Sequence, residues 1–116
     1  MSEPDNLWAE IRQKTRQLDY SVRELRKSGT ALAEAEKAYK VRLRECCLRL
    51  KGDGMAVGLI DKTCYGIPEV ADLRFRRDCA EAVWTANKEA INAIKLELRI
   101  INEQLSREYS TPQAGM

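Results

Sequence analysis

The chain has 116 residues, of which 44% are apolar and 33% are charged, and it contains only six glycines and three prolines. This balance is typical of an all-α protein with well-solvated faces, and the length limits the chain to a single domain. The apolar runs are too short for a membrane span, and the start MSEPDNLW lacks the basic and apolar regions of a secretion signal. We therefore expect a cytoplasmic protein.

The first half of the sequence has helical periodicity. Its two consecutive stripes are Trp8, Ile11, Thr15, Leu18, Val22 and Leu25, followed by Leu32, Ala35, Tyr39, Leu43, Cys46 and Leu50. Ser28-Gly29-Thr30 interrupts them, because a glycine can end one helix and a threonine can cap the next. The pattern predicts helices over about 5–27 and 31–51. One long helix with a kink at Gly29 is the alternative.

The centre of the chain is irregular but too apolar for an open loop. Gly52-Asp53-Gly54 is a turn signal that ends the first tract. The segment MAVGLIDKTCYG follows it, and we predict a short helix over about 56–64 with Leu59 and Ile60 pointing inward.

The second half of the sequence carries a sustained heptad repeat. Its seam positions are Val70, Leu73, Arg77, Ala80, Trp84, Asn87, Ile91, Ile94, Leu98, Ile101 and Leu105. All but Arg77 and Asn87 are apolar, and the alternating steps of three and four predict one long helix over about 69–109. Residues 110–116 are expected to form a flexible tail.

Two long helical tracts joined by a compact turn are expected to lie antiparallel, as a hairpin within one domain over 1–109. The second tract has a further stripe of Ala86, Ala90, Ala93, Leu96 and Ile100. Because these residues need a cover, we expect a homodimer that forms a helical bundle. The alternative is that residues 4–27 fold back as a third helix.

The residue types argue against catalysis and metal binding. No histidine is present, so the commonest general base and the Ser-His and Cys-His pairings are missing. The four cysteines form no CxxC pair, and reduced thiols are expected. The acidic residues Asp61, Glu69 and Asp72 have no established ligand spacing, and helix capping or pairing with arginine is their expected use. No enzyme activity, cofactor or metal is predicted.

Positive charge concentrates near the predicted hairpin end. Residues 37–77 contain ten lysines and arginines and five acidic residues, a net charge of +5. Within this range the predicted binding residues are Arg42, Arg49, Arg74, Arg76 and Arg77, with Tyr65 and Phe75 as aromatic anchors. A solvated helix face is the alternative interpretation. At its seam position Arg77 needs a carboxylate or a ligand, and Asp78, Glu45 or Asp61 could supply the carboxylate.

Several helical segments carry a resemblance to a known group of proteins. These segments are AEAEKAYKVRL at 33–43, the apolar centre that ends at Gly66, VADLRFRRDCAEAVW at 70–84, and EAINAIKLELRIINEQLSREY at 89–109. The chain resembles small uncharacterised helical proteins that are encoded by phages and prophages of Gram-positive bacteria. That resemblance implies a phage origin and action in the host cytoplasm, and it assigns no functional residues.

Together these features predict a non-enzymatic helical protein that binds a host or phage macromolecule through its basic hairpin tip. A nucleic-acid-binding accessory protein of phage replication or recombination is the first alternative, although the pI of about 8.4 is below the strongly basic range of DNA binders. A binder of a phosphate-bearing small ligand is the second alternative.

Overall fold

The computed structural model describes residues 4–110 and the side chains of residues 5–110. The described chain consists of three helices, α1 over Pro4–Gly52, α2 over Val57–Tyr65 and α3 over Pro68–Ser110, with no strand. The all-α helical hairpin with a short helical turn segment is therefore confirmed. Ser110 is the last residue of α3, and residues 111–116 of the predicted tail lie outside the described residues.

The break predicted at Ser28-Gly29-Thr30 is absent, because α1 runs through it as one helix of 49 residues. Ser28 is buried at 8% exposure and occupies a position in the packed stripe, and Thr30 donates a hydrogen bond from its hydroxyl to the carbonyl of Arg26. The hydroxyl thus bonds backward within the helix and does not cap a new one. The separate helices 5–27 and 31–51, and a third helix folded back from 4–27, are both incorrect.

Contacts divide the chain into two compact units. Unit 1 contains residues 1–25 and 86–116, and unit 2 contains residues 26–85. The single domain over 1–109 stays a prediction. In unit 1 the start of α1 packs antiparallel to the end of α3. Leu7, Ile101 and Leu105 are its buried cluster, with Ile11 packed against them. Asn87 of the predicted seam donates a hydrogen bond to the carbonyl of Glu24.

Unit 2 contains the turn and the larger core cluster. Its buried members are Tyr39, Cys46, Ile60, Cys64 and Val70. The helix α2 packs against this core cluster through Ile60 and Cys64. The inward position predicted for Ile60 is confirmed, but the one predicted for Leu59 is wrong, because Leu59 is 57% exposed. Gly54 has a φ of 90°, a left-handed conformation that suits glycine and lets the chain reverse after α1.

The heptad seam predicted in the second half is present in both units. All eleven of its positions, from Val70 to Leu105, are buried or half-buried. The stripe predicted for 32–50 is likewise inside, but Trp8 is 43% exposed and Thr15 is exposed, because the start of α1 buries Leu7 instead. None of the three helices combines the length and apolarity of a membrane span.

Replacing Gly29 with alanine is expected to stabilise the protein. A Cβ atom at this position would lie 3.6 Å from Nε1 of Trp84, an ordinary van der Waals distance. Alanine also restricts the unfolded chain, so we expect the free energy of unfolding to rise by about 0.5–1 kcal/mol in urea denaturation. Gly54→Ala is the matched control and should lower it, because of the positive φ. A loss of stability in Gly29→Ala would show that Trp84 cannot accommodate the methyl group.

Candidate interaction site

All seven predicted binding residues lie in unit 2, on α1, α2 and the start of α3. The antiparallel pairing brings α1 around residue 42 against the first turns of α3. Two contacts show this: Arg42 pairs with Glu69, and Arg77 lies over the ring of Tyr39. Arg74 lies between Glu69 and Arg77 along α3. Arg42 and Arg74 are therefore at the same end of the hairpin, as predicted.

Arg42 links two helices through ion pairs within the chain. Its side chain is 30% exposed, Nη1 donates to Oε2 of Glu45 at 3.0 Å, and Nη2 donates to Oε2 of Glu69 at 2.8 Å. The hydrogen bonds to Glu69 and then Glu45 raise the pKa of the guanidinium. The remaining nitrogen, Nε, is buried and has no hydrogen-bond partner. With both terminal nitrogens engaged, this side chain connects α1 to α3 and has little capacity for a ligand.

Arg77 shows how the seam accommodates a charge. Its Nε and Nη2 donate to Oδ1 of Asp78 at 3.0 Å and 2.8 Å, and its guanidinium lies 4.8 Å from the centre of the Tyr39 ring. The bonds to Asp78 raise the pKa of Arg77. Of the three candidate carboxylates, the neighbouring Asp78 is the partner. The buried Tyr39 supplies a ring face that compensates the half-buried cation.

Arg76 is also paired within the chain. Its Nε lies 3.1 Å from Oδ2 of Asp72 one turn earlier, and both side chains are more than half exposed. Such an exposed pair contributes little to stability but reduces the charge available to a partner. The predicted use of Glu69 and Asp72 as partners of arginine is thus confirmed, and Asp61 is exposed on α2.

The remaining predicted residues are open to solvent. Arg74 is exposed and lies 5.4 Å from the centre of the Tyr65 ring, which is itself 44% exposed. Phe75 is 66% exposed, an unusual degree for a phenylalanine. Arg49 is exposed in the last turns of α1 and has no ion pair with any residue over 5–110. We define Arg49, Tyr65, Arg74 and Phe75 as the open basic set.

Two of the four cysteines form a close pair that no spacing in the sequence indicates. Cys46 and Cys64 are fully buried, Cys79 is exposed, and all four are free thiols. Cys47 and Cys64 place their Sγ atoms 3.0 Å apart. Burial, followed by the contact with Cys47, raises the pKa of Cys64 to about 11. Their separation along the chain gave no local signal for this contact.

Residues 5–110 contain no group of three or more Cys, Asp or Glu side chains arranged to hold a metal ion. Comparison with known proteins finds no match among family models, curated proteins or solved structures.

Proposed function

We propose that the protein is a non-enzymatic helical interaction protein of phage or prophage origin that acts as a homodimer in the host cytoplasm. It binds an acidic surface of a host or phage macromolecule through the basic end of unit 2. The phage origin rests on the resemblance of the helical segments alone. The binding role rests on the open basic set.

The observation that supports this proposal is the exposure of positive charge beside exposed aromatic rings. Arg74 stacks on Tyr65, and Phe75 and Arg49 are open to solvent. Arginine and aromatic residues are the side chains most enriched among strong interface contacts. Unit 2 also has twelve lysines and arginines against nine acidic residues, a net charge of +3, while unit 1 has a net charge of −1.

Three of the predicted arginines are excluded from the proposed contact by ion pairs within the chain. Arg42, Arg76 and Arg77 already bind carboxylates of the chain, so they act as supports of the helical end. This internal pairing also weakens the case for a pocket that holds a phosphate-bearing small ligand, because such a pocket needs several uncommitted cations. The open basic set keeps its charge for a partner.

Reversing two charges of the open basic set tests the proposal. In Arg49→Glu/Arg74→Glu we expect capture of a specific partner from a lysate of a Gram-positive bacterium to fall at least about tenfold by quantitative mass spectrometry. The melting temperature should change little, because both arginines are exposed. Arg12→Glu/Arg16→Glu changes the net charge equally at exposed positions of unit 1 and should keep the partner.

Unchanged capture by Arg49→Glu/Arg74→Glu would contradict the assignment of the site. A gel-shift titration with single-stranded and duplex DNA addresses the nucleic-acid alternative. Binding that is strong at low salt and falls steeply as salt rises would favour that alternative, because neutralised phosphates release counterions.

A further inference from the structure

One outer face of α1 in unit 2 combines positive charge with large aliphatic side chains. Its five residues are Lys37, Val41, Arg44, Leu48 and Lys51. The alternating steps of four and three place all five on one side of the helix. Every one of them is exposed, with Val41 at 49% and Leu48 at 57%. We call this surface the basic face.

One outer face of α3 in unit 1 has the same spacing and the opposite charge. Its five residues are Glu89, Ala93, Leu96, Ile100 and Glu103. All are exposed, with Leu96 at 53% and Ile100 at 51%, and Ala86 and Ala90 extend the apolar surface beside them. We call this surface the acidic face. Most of the apolar stripe that needs a cover lies on it.

The charges of both faces are uncommitted. Over residues 5–110, none of Lys37, Arg44, Lys51, Glu89 and Glu103 takes part in an ion pair. Other charged residues of the same helices do pair, such as Lys14 with Glu97 in unit 1 and Arg42 with Glu69 in unit 2. The uncommitted charges flank exposed aliphatic side chains, an arrangement typical of helix-pairing surfaces.

We propose that the basic face of one copy of the chain packs against the acidic face of a second copy. This inference rests on the homodimer of the proposed function and names its interface. Each face covers fourteen residue steps, or about 21 Å of helix, so the two surfaces match in length. Lysines at both ends of the basic face meet glutamates at both ends of the acidic face, while Val41 and Leu48 cover Leu96 and Ile100.

A second copy fits better than an unrelated partner because the chain itself carries both halves of the contact. Each copy carries one basic and one acidic face, so a second copy supplies the complement of either face. Pairing of like faces is disfavoured, since it would oppose lysine to lysine or glutamate to glutamate. The complementary charges therefore select both the occupant and the pairing.

Charge exchange tests this interface. Light scattering of the wild-type chain should give twice the 13.2 kDa mass of one copy. Glu89→Lys/Glu103→Lys alone and Lys37→Glu/Lys51→Glu alone should each raise the dimer dissociation constant on the order of 100-fold, because attractive pairs between the two faces become repulsive. Combining the four substitutions in one chain should restore the dimer, because every pair is again opposite in charge.

Glu10→Lys/Glu108→Lys is the matched control for the first variant, since it makes the same charge change at exposed positions of unit 1 outside the acidic face. It should remain dimeric. A monomeric wild-type chain, dimers that survive both double reversals, or a fourfold variant that stays monomeric would each overturn the interface. Partner capture is measured independently of the oligomeric state. A variant of the open basic set that loses partner binding but still dimerises would bear on that set and not on the dimer interface.

Discussion

Leu7→Ala is expected to lower the free energy of unfolding by about 2–4 kcal/mol, as measured by urea denaturation. Leu7 is 1% exposed and belongs to the buried cluster of Ile101 and Leu105. Truncation removes apolar contacts and leaves a cavity between two helices that meet there. Because this cluster has only three buried side chains among the described residues, and Leu7 is the most buried of them, Leu7 carries a large share of the packing.

Trp8→Ala is the informative comparison for Leu7→Ala. Trp8 is the larger side chain and the one that the sequence pattern places in the seam, but it is 43% exposed. We therefore expect its truncation to cost only about 1 kcal/mol. A greater loss of stability from Trp8→Ala than from Leu7→Ala would contradict the packing at the start of α1.

Oxidation of the Cys47 and Cys64 thiols to a disulfide is expected to raise the melting temperature by on the order of 10 °C. The Sγ atoms lie 3.0 Å apart, and the two residues are 17 positions apart in sequence, so the bond would close the turn between α1 and α2. Oxidised glutathione supplies the oxidising equivalents, since the two thiols lose two protons and two electrons and the glutathione disulfide becomes two thiols. Calorimetry measures the shift, and peptide mapping identifies the bond.

The rate of this oxidation should rise with pH. The thiolate is the attacking species, and the raised pKa of Cys64, about 11, keeps that thiol protonated at neutral pH. Cys47→Ser is the control, because it leaves the exposed Cys79 free to react but removes the partner of Cys64. A stabilisation of the same size in Cys47→Ser would show that another thiol is responsible.

The heptad of α3 was predictable because its signal is redundant. Eleven heptad positions all place their side chains on the same side of the helix, so two polar members do not change which side is buried. All eleven are at least half-buried. The structure adds what each polar member does. Asn87 bonds to the backbone of α1, and Arg77 uses Asp78 and the ring of Tyr39.

Sequence signals that rest on a single residue were less reliable predictors of helix ends and of buried side chains. Gly29 indicated a break, yet burial of Ser28 and packing near Trp84 keep α1 helical. Leu59 and Ile60 are adjacent and similarly apolar, and only the position of α2 against the core selects Ile60. The clustering of basic residues was visible in the sequence, but their neutralisation by Glu69, Asp72 and Asp78 was not.

The sequence by itself determined that this protein is helical, that the chain reverses near Gly54, and which side of α3 is buried, because periodicity and turn chemistry are local properties that repeat along the chain. Only the tertiary structure decided which arginines form ion pairs within the chain. It also decided that Leu7 and not Trp8 is buried, and that the thiol of Cys47 contacts that of Cys64. Those outcomes depend on which side chain a neighbouring helix presents at each level, and that choice arises only when the helices pack.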